Sequence, residues 1–301
     1  MTVVPIVVTD SNEPTSSPNL LRGALAAQWR RDWLFRIGAV LVMLVIAAAL
    51  LAPLIAPFDP LRGDLANDYL ASPGRRFLLG ADGQGRDVLS RVLYGARISL
   101  LVGVISQTVA VGLGVTLGLL AGYYRRGLDL MVMRLADITL AFPSLLLLIA
   151  VAAAIRPSLA LTFVVIGVVG WAGVARLVRS QTLVLGQSEY VVAARALGAR
   201  DRRIIFRHLL PNVGGIVIVT ATLGIAGAIM AEAALSFIGL GAQPPTPSWG
   251  SMVAEGRVMI RVAPWVSVAP GVAVGIAVLG FNLMGDGLRE ALDPLSRSSR
   301  R

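Results

Sequence analysis

The chain has 301 residues, 56% hydrophobic and only 15% charged, with a mean hydropathy of +0.76; a soluble domain carries roughly 25% charged residues, so the composition is that of a membrane protein. The 27 basic residues other than histidine are all arginine, cysteine is absent and His208 is the one histidine, which excludes a Walker A or Schiff-base lysine, a thiol nucleophile, an iron–sulfur cluster and a multi-histidine zinc site. The net charge of +10 does not point to nucleic acid, because the arginines flank long apolar runs instead of gathering on a polar face.

Residues 1–36 form a polar N-terminal tail whose opening, Thr9 to Ser17, has the composition of a disordered segment. Six apolar runs long enough to cross a bilayer follow: Ile37–Leu54, Ile98–Gly122, Ile138–Ile155, Leu159–Ala175, Val213–Leu235 and Val266–Met284. They predict an all-α membrane protein with one six-span domain over residues 37–284 and a C-terminal tail over 285–301. The first run is read as a retained anchor, since Pro53, Pro57 and Pro60 follow it where a cleavable leader would carry small residues.

Between the first two spans, Asp82, Arg86, Asp87 and Arg91 alternate in charge without any nucleophile–base pairing, which predicts a salt-bridged surface helix. The second span carries Gly114, Gly118 and Gly122 on one helical face, and the sixth repeats the spacing with Gly271 and Gly275. Such faces let helix backbones approach closely in lipid, within this chain or against a second membrane subunit. Asp137 is expected as a helix-start anion before the third span. Eighteen arginines fall on one side of the six spans and 9 on the other, which predicts both termini in the cytoplasm by the positive-inside rule.

The 37 residues from Arg176 to Asn212 are too many for a simple turn and too few for a domain. Gln187–Leu197 reads as a helix stopped by Gly198 in the left-handed conformation, and Asp201 as the cap of a second helix, Arg202–Leu209. A basic amphipathic helix at this place suits an anionic lipid surface; the shallow relief of Ala193, Ala194 and Gly198 instead suits another protein's groove. Glu232, the lone charge inside a span, is placed near the outer end of the fifth, where it is expected to reach water or a loop arginine in a structural or capping role. Between Ser236 and Trp265, glycines and prolines break regular structure, and Trp249 and Trp265 suit a membrane interface.

Ala193-Ala194-Arg195-Ala196-Leu197-Gly198, with Leu210-Pro211 beyond, resembles the EAA loop of ABC importer permeases; Val192 and His208 stand where that pattern has glutamate and isoleucine. Leu79-Gly80-Ala81-Asp82 with Gly85-Arg86-Asp87-Val88-Leu89-Ser90-Arg91, then Tyr94 to Leu100, Ala141-Phe142-Pro143, Pro247-Ser248-Trp249-Gly250, Glu255-Gly256-Arg257 and Asn282 to Arg289 are similar to permeases of the dipeptide/oligopeptide/nickel type. The layout is that of the C-type, second permease subunit. The resemblance implies a type I importer in which this chain, itself without cofactor or catalytic site, pairs with a homologous permease. Two ATPase subunits would bind ATP and magnesium, an extracytoplasmic substrate-binding protein would deliver cargo, and residues 193–198 with Leu210 and Pro211 would form the coupling loop. It further implies that the 57–97 and 236–265 segments frame the entrance. Dipeptides or short oligopeptides are the expected cargo, with nickel, glutathione or another small solute as the alternative. A secondary transporter driven by an ion gradient is the rival of another class, and would show broken helices and buried coupling charges.

Overall fold

The computed structural model describes residues 23, 28–154 and 158–292, all of it helix and loop apart from one isolated bridge between Ala81 and Asp87. The polar opening of the tail and the end of the predicted third span at Ile155 lie outside these residues. Helix α1 (Trp33–Ile55) starts where the Asp32 carboxylate accepts the Leu34 N–H at 2.9 Å. It ends just past Pro53, and Pro57 and Pro60 prevent its continuation. Helix α2 (Val88–Tyr124) begins well ahead of the predicted Ile98, because the Asp87 carboxylate caps it by accepting the Ser90 N–H at 2.8 Å and the Ser90 hydroxyl at 2.6 Å.

Helices α3 (Arg126–Ala141) and α4 (Ser144–Ala153) stand where a single third span is predicted, bent by 90°. The cause is Pro143, which has no N–H to give and forces Phe142 into an extended conformation (φ −92°, ψ 140°). Asp137 therefore lies inside α3 and not at a helix start, where it pairs with Arg176 at 2.7 Å. Helix α5 (Leu159–Leu185) leads to the short α6 (Glu189–Ala196), then a turn at Asp201–Arg203, a π-helical segment at Ile204–Leu209 and α7 (Leu210–Phe237). A loop and α8 (Trp249–Gly256) precede α9 (Trp265–Leu292), which runs on past the predicted Met284. Five stretches, α1, α2, α5, the Asp201–Phe237 stretch that contains α7, and α9, are long and apolar enough to cross a membrane, and the bent α3–α4 pair makes a sixth if counted as one span.

The glycine face of α2 is used inside the chain. A Cβ at Gly114 would lie 2.9 Å from the Trp171 carbonyl, at Gly118 2.6 Å from that of Ala175 and at Gly122 3.0 Å from that of Arg179, all on α5. In return, a Cβ at Gly167 of α5 would lie 2.8 Å from the Ser106 carbonyl on α2. The two backbones touch along most of their length, as small-residue faces permit in lipid. At Gly271 and Gly275 a Cβ would meet nothing within 4 Å. Helices α1 and α9 pack at Gly280 against Leu41 and Val42, and at Gly287 against Phe35. One apolar cluster joins α1, α7, α8 and α9 through Val42, Ile229, Trp249 and Phe281; another, Leu119, Val174, Val178, Ile204, Leu209 and Val213, seats the 186–209 loop on the bundle.

Candidate functional site

The stretch from α6 to the first turn of α7 holds every residue singled out as a coupling site. Val191 is the buried member of α6 and packs into the cluster of Val174, Val178, Ile204 and Leu209, so one turn of α6 is keyed to the bundle. With that side fixed inward, Ala193, Arg195, Ala196, Leu197 and Gly198 are exposed and Ala194 half-buried. Leu197 is 89% exposed at the tip. Helix α6 closes in a Schellman motif: the Gly198 N–H donates to the Arg195 carbonyl at 3.0 Å and the Ala199 N–H to that of Ala194 at 3.0 Å, with Gly198 at φ +79°. The expected left-handed stop is present.

The second half of the loop differs from expectation. Asp201 does not cap a separate helix; its carboxylate accepts the Tyr123 hydroxyl at 2.7 Å. The next residues adopt a π-helix in which the Leu210 N–H reaches back to the Ile205 carbonyl. The cause lies at Pro211: in an uninterrupted α-helix its ring would collide with the carbonyl four residues earlier, and the wider turn relieves that collision. The Asn212 side-chain amide donates to the His208 carbonyl at 2.6 Å. Leu210 and Pro211 are half-buried at the root of α7, away from the tip formed by residues 193–198. Of the two departures from the EAA pattern, Val192 is exposed and His208 lies with its ring 6.2 Å from that of Tyr190.

Sequence reasoning missed Tyr123. It sits on the last turn of α2, with the Arg195 guanidinium 5.6 Å from its ring centroid and its hydroxyl on Asp201. The signal available was a Tyr-Tyr pair directly after an apolar run and before Arg125-Arg126.

At the opposite end of the bundle, Asp82, Arg86 and Arg91 are buried, not spread on a surface helix. Arg86 Nε donates to Asp82 at 2.8 Å and Arg86 Nη2 to Glu255 at 3.0 Å; Arg91 donates to Glu255 at 2.8 Å and also to Asp82. Burial alone would raise the Asp82 carboxyl. The Arg91 and Arg86 guanidiniums, with the N–H groups of Arg86 and Gln84, outweigh it and hold it below its usual 3.8. The network ties the segment before α2 to α8. Trp249 is also buried, with its indole N–H on the Val92 carbonyl at 3.0 Å, so it packs the bundle instead of marking an interface; Trp265 donates to the Ala81 carbonyl at 3.1 Å. Glu232 reaches neither water nor an arginine. It is fully buried, accepting the Ser236 hydroxyl at 2.6 Å and the Ser99 hydroxyl at 3.3 Å.

Two family models match this architecture. Residues 114–298, which include the loop, α7 and α9, match the binding-protein-dependent transport system inner membrane component. Residues 22–73 match the N-terminal transmembrane domain of oligopeptide transport permease C. The chain belongs to this family of importer permeases. It is 42% identical over 293 residues, 95% of this chain and 96% of the relative, to a dipeptide transport system permease protein of Alkalihalophilus pseudofirmus. It is 42% identical to a di/tripeptide transport system permease protein of Pseudomonas aeruginosa over 94% of this chain and 96% of the other. A glutathione transport system permease protein of Pectobacterium atrosepticum is 44% identical over 85% of both chains. The permease is an inner-membrane, multi-pass, non-catalytic subunit of the C type.

Proposed function

We propose that this permease moves dipeptides or short oligopeptides into the cytoplasm as one half of a heterodimer with a homologous permease, driven by two ATPases docked on the loop end of the bundle. ATP and magnesium belong to those ATPases, and a binding protein delivers the peptide at the opposite end. The single observation that carries the reading is the shape of the 186–209 loop. A residue as apolar as Leu197 held in the open, on a helix whose other side is locked by Val191, suits insertion into a partner's groove. Ala193, Ala196 and Gly198 beside it are small and exposed, which suits close approach of a partner's surface. Seven arginines lie on the 176–212 segment, which supports a cytoplasmic position for this end by the positive-inside rule.

In this reading the chain's own residues receive and transmit force. Closure of the ATPases displaces Leu197 and α6 as a body, and Val191 passes the displacement to α5 and to the base of α7. Relatives named for dipeptides, di/tripeptides and glutathione support peptidic cargo. Nickel has no such support among them, and glutathione, itself a tripeptide, falls within the same chemistry. The break at Pro143 is a feature that an ion-driven carrier would share. Family membership and the position of Glu232 near the end of α7, away from mid-span, disfavour that rival.

The test is Gly198→Trp. At φ +79° any Cβ is strained by roughly 1–2 kcal/mol, and the indole would project into the open space where the partner seats. The expected result is normal insertion in the membrane with reduced ATPase co-purification and loss of peptide-stimulated ATP hydrolysis. Unchanged stimulation would refute the coupling role.

A further inference from the structure

We propose that Tyr123 is the positioning residue that joins both arms of the coupling loop to α2, so that displacement of the loop moves α2 as a rod. The inference rests on the coupling reading above and adds a path to it. The two arms of the loop are Glu189–Ala196 and the stretch from Asp201 onward, and Gly198 lies between them at φ +79°. Tyr123 touches both. Its ring faces the Arg195 guanidinium of the first arm at 5.6 Å, and its hydroxyl donates to the Asp201 carboxylate of the second at 2.7 Å. The two contacts use different parts of one side chain, the π face and the phenol, which phenylalanine and leucine separate: phenylalanine keeps the face and loses the donor, and leucine loses both.

The anchorage behind Tyr123 is stiff. The ring packs into the cluster of Leu119, Val174, Val178 and Ile204, with Tyr124 edge-on at 5.1 Å. Directly before it, Gly122 holds α2 against the α5 backbone, one turn after Gly118 does the same. Directly after it the helix stops, because Arg125 and Arg126 take φ values of 56° and 51°. Helix α2 then runs 37 residues without a proline, about 55 Å. Near its far end Arg91 holds Asp82 and Glu255, and Ser99 holds Glu232. A rigid element therefore has the loop at one end and the opposite face of the bundle at the other, with Tyr123 as its point of attachment. The charged groups facing Tyr123 are Arg195 and Asp201, with Arg125 lining the same cavity as Tyr123 and Arg195.

The test uses the complete importer in proteoliposomes: both permeases, both ATPases and the binding protein. The readouts are peptide taken up per ATP hydrolysed, basal hydrolysis, and the amount of ATPase that co-purifies. Tyr123→Leu is expected to lower uptake per ATP by about fivefold or more, the range of an allosteric coupling term, with basal hydrolysis and co-purification unchanged. Tyr123→Phe and Asp201→Ala should each give a smaller, similar loss, and the double variant no further loss, because both remove one hydrogen bond. Asp201→Asn, which retains a carbonyl acceptor, should restore the ratio. Wild-type uptake per ATP in Tyr123→Leu overturns the proposal, as does a loss that follows loss of bound ATPase in proportion. If Tyr123→Leu fails to assemble, additive losses in Tyr123→Phe and Asp201→Ala overturn it instead. Gly198→Trp is run in parallel: if it too leaves coupling intact, the loop reading itself fails. If Gly198→Trp uncouples and the Tyr123 variants do not, only the path through Tyr123 is wrong.

Discussion

Glu232 is the residue whose setting departs furthest from what its neighbours in sequence suggest. A lone carboxylate near the end of an apolar run is expected to turn toward water, yet this one is 0% exposed. It works through two serine relays. The Ala242 N–H donates to Ser236 Oγ at 3.1 Å, and that hydroxyl donates to Glu232 at 2.6 Å; the Trp249 N–H donates to Ser99 Oγ at 3.4 Å, and that hydroxyl donates to Glu232 at 3.3 Å. One side chain thus links α7 and α2 to the middle of the loop before α8 and to the start of α8 itself. Glu232→Ala leaves two buried hydroxyls without their acceptor, at about 1–3 kcal/mol for a stranded polar group. A lower thermal midpoint of the purified protein is expected, with Glu232→Gln, which retains one acceptor oxygen, falling between the two. An alanine variant as stable as wild type would show that the relays do not hold the loop.

At the scale of elements, what was legible follows from local chemistry. Five of the six apolar runs, the Gly198 stop and the Leu-Pro at the root of α7 are properties of a few adjacent residues, and the structure has them as helices, as a left-handed stop and as a first helical turn. The break at Pro143 was also written in adjacent residues, but an unbroken stretch of apolar composition masked it. What was not legible depends on pairing across sequence. Arg86 and Arg91 find Glu255 more than 160 residues away, and nothing near Arg91 in the chain indicates that it is buried. Tyr123 and Asp201, 78 residues apart, escaped for the same reason.

The buried network carries a pH dependence. Asp82 has a depressed pKa in the folded state, so its stabilising effect is complete above the unfolded value and is lost as pH falls through the folded one. Thermal midpoints in detergent should therefore drop as pH falls below about 4. In Asp82→Asn, which leaves Arg91 and Arg86 short of a buried counter-charge, the midpoint should be lower at neutral pH and change less on acidification. Parallel curves for the two proteins would assign the acid sensitivity elsewhere.

For the whole molecule, the composition and the fold describe a division of labour. A lysine-free chain cannot form a Walker A phosphate loop; its helical bundle carries a loop at one end and a tied segment at the other, joined by α2. The glycine faces divide in the same way. The one on α2 is consumed by α5, while a Cβ at Gly271 or Gly275 on α9 would meet nothing within 4 Å among the described residues. The most direct test of this account is uptake of a labelled dipeptide into vesicles holding the complete importer, with ATP supplied on the loop side and binding protein on the other. The account predicts accumulation that requires ATP and binding protein on those sides and does not respond to a proton gradient. Accumulation by vesicles that contain this chain alone, driven by a proton gradient, would contradict it.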